Sequence, residues 1–181
     1  MGKLTGKLTG KKVAVLLDKD YQELEVWYPY FRMKEEGAEV KLVAAEADKT
    51  YPSKLGYPAT SEVAAGKVKA TDFDAVVIPG GWCPDYMRRS DDMVNFVRDA
   101  AKAGLVLAAI CHGGWMLCCT DALKGRKATS FMAIRFDMIN AGATWVDQEV
   151  VVDGSSPKII TSRKPTDLPA FCREIVKALG G

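Results

Sequence analysis

Along this chain, short apolar runs alternate with segments whose apolar residues recur every three or four positions. The run KKVAVLLD (11–18), rich in Val and Leu, predicts a buried strand. Behind it, Leu24, Trp27, Tyr28 and Phe31 fall at i, i+3, i+4 and i+7. That is one face of a helix over 21–36, ended by Gly37. Pro29 lies inside the pattern and should kink the helix or sit in its first turns. AEVKLVAA (38–45) predicts the next strand, whereas 46–72 is polar and broken by Pro and Gly, loop with room for a small hairpin.

DAVVIPGG (74–81) predicts another buried strand, stopped by Pro79-Gly80-Gly81. Met93, Phe96, Val97 and Ala100 mark an amphipathic helix closed near Gly104. LVLAAIC (105–111) reads as a strand followed by a helix to about residue 123, and a shorter helix ends at Gly142. TWVDQEVVVDG (144–154) and KIITSR (158–163) read as strands able to pair as a hairpin, and Leu168, Phe171, Cys172 and Ile175 give the last helix its inner face. Strands and helices alternating at this spacing predict one α/β domain over 11–181: a doubly wound, flavodoxin-like, mostly parallel sheet with helices on both faces. GKLT occurs at 2–5 and again at 6–9, too short and polar for a structural repeat, so residues 1–10 are expected to be a flexible tail.

Composition narrows the function classes. The 181 residues are 48% hydrophobic, enough for one cored domain, and no stretch approaches the ~20 apolar residues of a membrane span. The basic N-terminus has no apolar run behind it, which argues against a secretory signal and for a cytoplasmic protein. Net charge is only +2 and evenly spread, giving no footprint for nucleic acid. Five cysteines, Cys83, Cys111, Cys118, Cys119 and Cys172, lack C-x-x-C spacing, and with a single histidine a metal site is poorly supplied.

In open α/β sheets, ligands sit beyond the carboxyl ends of the strands. Three such ends, DKDYQELE, PGGWCPD and CHGGW, converge on one rim if the strands are parallel. Cys111 would occupy a sharp strand-to-helix turn, where helix N–H groups favour a thiolate and Gly113 and Gly114 leave space. His112, the only imidazole, stands beside it as a candidate base or thiolate partner. From spacing alone, Cys111 fits a nucleophile and a buried structural thiol equally, while Cys118, Cys119 and Cys172 read as packing. Asp18, Asp20, Glu23, Glu25 and Asp85 are the nearby acids; Glu25 lies off the apolar stripe, and periodicity favours a solvated position for it.

ELEVWYPYFRMKEEGAEV, DAVVIPGGWCPD, AAICHGGWML, LKGRKATSF, DMINAGATWVDQEVVVDG and IITSRKPTDLPAF resemble the PfpI/ThiJ family of the class I glutamine amidotransferase-like superfamily, in order across 11–178. The resemblance implies Cys111 as a strained nucleophile, Glu25 as the acid bonded to its sulfur, and His112 as its histidine. It also implies Asp85, where Glu is usual, reaching that histidine from a neighbouring subunit. The Gly81 and His112 N–H groups would form an oxyanion hole, each donor worth on the order of 3 kcal/mol. Gly114 replaces a common Pro, and Trp82, Gly113 and Trp115 would line a narrow apolar pocket, with Cys83 a possible resolving thiol.

The implied activity is a glyoxalase or deglycase acting on glyoxal, methylglyoxal or their adducts through a Cys111 hemithioacetal, without metal or cofactor. Alternatives are a cysteine peptidase with a Cys-His-acid triad completed between subunits, and a redox-sensing stress protein oxidised at Cys111 to a sulfinate. The implied partners are a small dicarbonyl or glycated substrate and further copies of the chain, as dimer, trimer or hexamer. Cys111 is expected to be a thiolate below neutral pH, at a point shifted by Glu25→Gln.

Overall fold

In a computed structural model, which describes residues 6–180, the predicted alternation closes into one main sheet. The chain runs β1 (Lys12–Leu16), α1 (Glu23–Glu35), β2 (Glu39–Ala44), β3 (Thr50–Pro52), β4 (Pro58–Thr60), β5 (Val63–Ala64) and β6 (Ala75–Ile78). It continues through α2 (Cys83–Met87), α3 (Asp91–Lys102), β7 (Val106–Ile110), α4 (Gly114–Leu117), β8 (Lys127–Ala128) and α5 (Arg135–Asn140). β9 (Thr144–Trp145), β10 (Val150–Asp153), β11 (Ile159–Ser162) and α6 (Leu168–Gly180) complete it.

The sheet order is β10-β11-β7-β6-β1-β2-β5, parallel throughout except for β10 against β11. β6 and β7 are buried at every residue, which is why both read as unbroken apolar runs. α1 and α6 pack together over β1, β2, β7 and β11, and α3 covers β6 and β7. From β1 the chain first adds strands on one side and then, starting with β6, on the other. The carboxyl ends of β1 and β6 therefore flank the crevice where such sheets bind ligands, with β7 next in line.

Several expectations are corrected. The α1 stripe does not face the core: Leu24 and Phe31 are 54% and 60% exposed, and Tyr28 is exposed too. The buried face is Glu25, Val26, Pro29 and Met33, a second and less conspicuous i, i+3, i+4 set. Pro29 lies inside the helix, in its second turn, on the buried side. The helix after Cys111 ends at Leu117 instead of about 123, because Thr120 Oγ1 donates to the Leu117 carbonyl at 2.7 Å and accepts from the Ala122 N–H at 3.1 Å. Within 144–154 only β10 joins the hairpin; β9 pairs in parallel with β8 in a separate ribbon. The 46–72 segment supplies the β3–β4 hairpin and, beyond expectation, the edge strand β5.

The expected tail also needs division. Residues 1–5, which hold the whole first GKLT copy, lie outside the described residues. Residues 6–10 fold against the end of α1: Leu8 is fully buried and its N–H donates to the Glu36 carbonyl at 2.8 Å. Among the described residues no helix is long and apolar enough to cross a membrane.

Leu8→Ala is expected to cost about 2–4 kcal/mol in urea unfolding, as for a fully buried leucine. A loss within error of zero would detach this turn from the core.

Candidate active site

β7 delivers Cys111 at its end, and Cys111 has φ +59°, the left-handed region that costs a non-glycine residue roughly 1–2 kcal/mol. The chain then turns through 111–113 into α4. The strained elbow is held by close backbone approach from the end of β6. A Cβ built on Gly80 would lie 2.6 Å from Cys111 Cβ, 2.7 Å from Glu25 Oε2 and 2.8 Å from His112 N. Gly80 is thus the residue that lets α1 and the ends of β6 and β7 meet, and it was passed over for Gly81. The Pro-Gly-Gly stop was its only mark in the sequence. Gly81 itself has φ +74° and bridges back to Tyr21.

Glu25 reaches this junction from the buried face of α1, not the solvated position its periodicity suggested. It is fully buried, and its Oε2 accepts the Gly80 N–H at 2.7 Å. Oε1 has no hydrogen-bond partner among the described residues. Burial pushes the carboxyl up to about 7, opposed by the Gly80 N–H and by the Cys111 thiol. The thiol is pushed up to about 12, by burial first and by the Glu25 charge second. Backbone N–H groups of Gly81 and His112 meet the sulfur and pull in the opposite direction, the two donors expected of an oxyanion hole. This corrects the expectation of a free thiolate below neutral pH. Two buried groups that oppose each other's ionisation form a proton-holding pair.

His112 Nδ1 lies 3.4 Å from Cys111 Sγ. Its ring is surrounded by those of Trp82, Trp115 and Phe131, with centroids 5.3, 5.0 and 5.0 Å away. Burial lowers its pKa, helped by Lys54, so the imidazole is neutral at pH 7. Phe131 also donates its N–H to the Cys111 carbonyl at 3.2 Å. Sequence reasoning missed it, because nothing in its spacing ties it to the elbow. Beyond it lies a hollow of about 170 Å³ lined by residues including Trp145, Arg163 and Lys164.

The other predicted residues sort themselves by contact. Trp82 stands half exposed at the rim. Gly113 is buried against the Ile78 carbonyl, so it packs the elbow and does not line a pocket. Cys83 is not a rim thiol: it is buried in α2 with Sγ 3.1 Å from the Gly80 carbonyl, and its pKa is raised by burial. Asp85 pairs with Arg89, two residues past the end of its helix. Glu23 turns away to accept from Ser53 Oγ and the Leu55 N–H. Asp18 is raised by burial and caps the Lys19 N–H, and Asp20 occupies a left-handed turn at φ +58°. Of the five acids, Glu25 is the one whose charge acts on the Cys111 thiol.

The profile of the DJ-1/PfpI family matches residues 11–178. The chain belongs to the DJ-1/PfpI family. It is 43% identical over 168 residues to a deglycase of Pyrococcus horikoshii, covering 93% of this chain and 99% of that one. Protein/nucleic acid deglycase 2 of Escherichia coli is 40% identical, covering 94% and 98%. A putative cysteine protease of Bacillus subtilis is 41% identical, covering 93% and 98%. Among solved structures, DJ-1beta of Drosophila melanogaster superposes with TM-score 0.85 at 26% identity, over 94% of this chain and 91% of that chain. A two-domain Anabaena variabilis protein, with DJ-1/ThiJ/PfpI-like and ferritin-like domains, superposes with TM-score 0.89 at 41% identity. The match takes in 94% of this chain and 48% of that one. The DJ-1/PfpI fold accounts for the mostly parallel main sheet with its helices.

Because folding raises Glu25 from an ordinary 4.5 to about 7, the unfolded chain loses this proton first as pH rises. The folded state is therefore destabilised progressively across that window and no further above it. Glu25→Gln removes the effect. It is expected to be more stable than wild type at about pH 8 by up to about 3 kcal/mol, with no gain at about pH 4. Urea unfolding at both pH values tests this, and an equal difference at the two would rule out Glu25 ionisation as the cause.

Proposed function

We propose that this chain is a cysteine-dependent deglycase and glyoxalase acting on glyoxal, methylglyoxal or their adducts with amines and thiols, without metal or cofactor. The observation that carries this reading is Cys111 Sγ held at a strained elbow between two backbone N–H donors and a buried carboxyl whose proton affinity sits near neutrality. Relatives named as deglycases add support.

In this reading the Cys111 thiol adds to the aldehyde carbon and its proton passes to the new hydroxyl, giving a hemithioacetal. With an amine adduct, the sulfur displaces the amine and reaches the same species. Glu25, poised near 7, removes the proton from the sulfur-bearing carbon and returns one to the neighbouring carbon. The product is a thioester of a 2-hydroxy acid. Water attacks it, the Gly81 and His112 N–H groups hold the developing oxyanion, and the hydroxy acid leaves as the thiol is restored. The buried sulfur and the Trp82–Trp115–Phe131 enclosure suit a small carbonyl better than an extended peptide.

A peptidase reading rests on the 3.4 Å contact between His112 and Cys111 and on the Bacillus relative's name. It requires a carboxylate for the imidazole, and Asp85 is tied to Arg89 within the chain, so the acid would have to come from another copy. The exposed α1 stripe of Leu24, Tyr28 and Phe31 supports self-association, and a native mass above one chain is expected.

Wild type is expected to consume methylglyoxal and release free amine from a methylglyoxal–amine adduct, and Cys111→Ser to do neither. Cleavage of a fluorogenic peptide with no carbonyl consumption would replace this reading with the peptidase. In kcat/KM profiles the rate is expected to rise through about pH 7 as Glu25 loses its proton. Glu25→Gln should lose that limb along with about 10²–10⁴-fold in rate. An unchanged profile would remove Glu25 from the chemistry.

A further inference from the structure

A cleft of about 610 Å³ opens between α3, the turns at 118–126 and the 156–157 turn. Its walls include Arg98, Lys102, Lys124 and Arg126, and two adjacent thiols, Cys118 and Cys119. Arg126 is occupied structurally, with Nε on Asp153 at 2.7 Å and a terminal nitrogen on the Pro157 carbonyl at 2.7 Å. Of the other three cations, Arg98 alone has no acidic partner among the described residues, and Lys102 and Lys124 each share their charge with one acid. Arg98 anchors only its Nε, on the Cys119 carbonyl at 2.8 Å, and forms no ion pair among the described residues. Lys102 is 3.8 Å from Asp99, and Lys124 is paired at 2.7 Å with Asp121. Asp121, the one acid on the wall, is held below the usual carboxylate range by Lys124 first and then by Arg98 and Lys102. The field inside the cleft is therefore positive.

The two thiols are not equivalent. Cys118 Sγ rests 3.7 Å from Met138 Sδ, and burial, followed by the Asp137 charge, pushes it up to about 12. Cys119 is half-buried beside the cations, with Sγ 3.5 Å from the Trp115 carbonyl. A thiol beside three cations in a cleft of this size fits an anionic reactant carrying its own sulfur.

We propose that this cleft is a mixed-disulfide site, in which Cys119 exchanges with a small disulfide whose carboxylates lie against Arg98, Lys102 and Lys124. The Cys119 sulfur gives up its proton and attacks one sulfur of the disulfide, whose S–S bond breaks as the new one forms. The departing half leaves as a thiolate and takes up a proton, so Cys119 is oxidised and the released half is reduced. The adduct bears on the Cys111 site through one contact. Once bonded to another sulfur, Cys119 no longer donates to Trp115, whose ring packs 5.0 Å from His112. That consequence rests on the function proposed above; the site itself does not.

Wild-type protein is incubated with glutathione disulfide, which is anionic, or with cystamine, which is cationic, and followed by intact mass and peptide mapping. The adduct is expected on Cys119, forming about tenfold faster with glutathione disulfide at low salt. High salt, or Arg98→Gln with Lys102→Gln, should erase that preference, and Cys119→Ser should remove the adduct. Equal rates for the two disulfides, or an adduct confined to Cys111 or Cys118, would overturn the proposal. Carbonyl consumption is measured on the same samples and should fall as the adduct forms. Full activity in the adduct would overturn the link through Trp115. Absence of activity before treatment would instead count against the proposed function, while the mass result still decides the site.

Discussion

The structure depends on one electrostatic conflict. A thiol and a carboxyl are buried together, and neither can ionise without opposing the other. Three backbone N–H groups moderate the conflict, from Gly80 to the carboxylate and from Gly81 and His112 to the sulfur. All three come from the short stretches that follow β6 and β7. The sheet brings those stretches within a methyl group's width of each other, and only a residue without a side chain fits between them. Cys83 then fixes the same backbone from behind through the Gly80 carbonyl, turning a thiol that looked reactive into a support.

The parallel strands and their order of use were legible because fully buried strands must be apolar on both faces, and β1, β6 and β7 read that way directly. Cys111 and His112 were legible because the apolar run stops on them. Glu25 was not legible from periodicity. A carboxylate on a helix is normally solvated, and the louder Leu24–Trp27–Tyr28–Phe31 pattern pointed the helix the wrong way. Only the resemblance to known sequences singled it out. The inversion has a physical reason: Val26, Pro29 and Met33 fill the space over the sheet, and turning the aromatic stripe inward would have placed Glu25 in water. Gly80 and Phe131 were missed because what they contribute is proximity, which one-dimensional spacing does not record.

The environment of the single imidazole distinguishes this chain. Three aromatic rings surround it and no carboxylate meets it among the described residues, so it remains neutral and oriented by packing. A neutral imidazole next to a protonated thiol can accept a proton without first losing one. This complements Glu25, which changes charge near pH 7.

The parts that form the site lie far apart along the chain, at residue 25 on α1 and at residues 80 and 111 beyond β6 and β7, and the sheet joins them where its winding reverses. A segment holding only one or two of these parts cannot contain the assembled centre. A nascent or partly melted chain carries only ordinary, independent thiols and acids. The surroundings of Cys111 are therefore complete only when β1, β6 and β7 lie side by side.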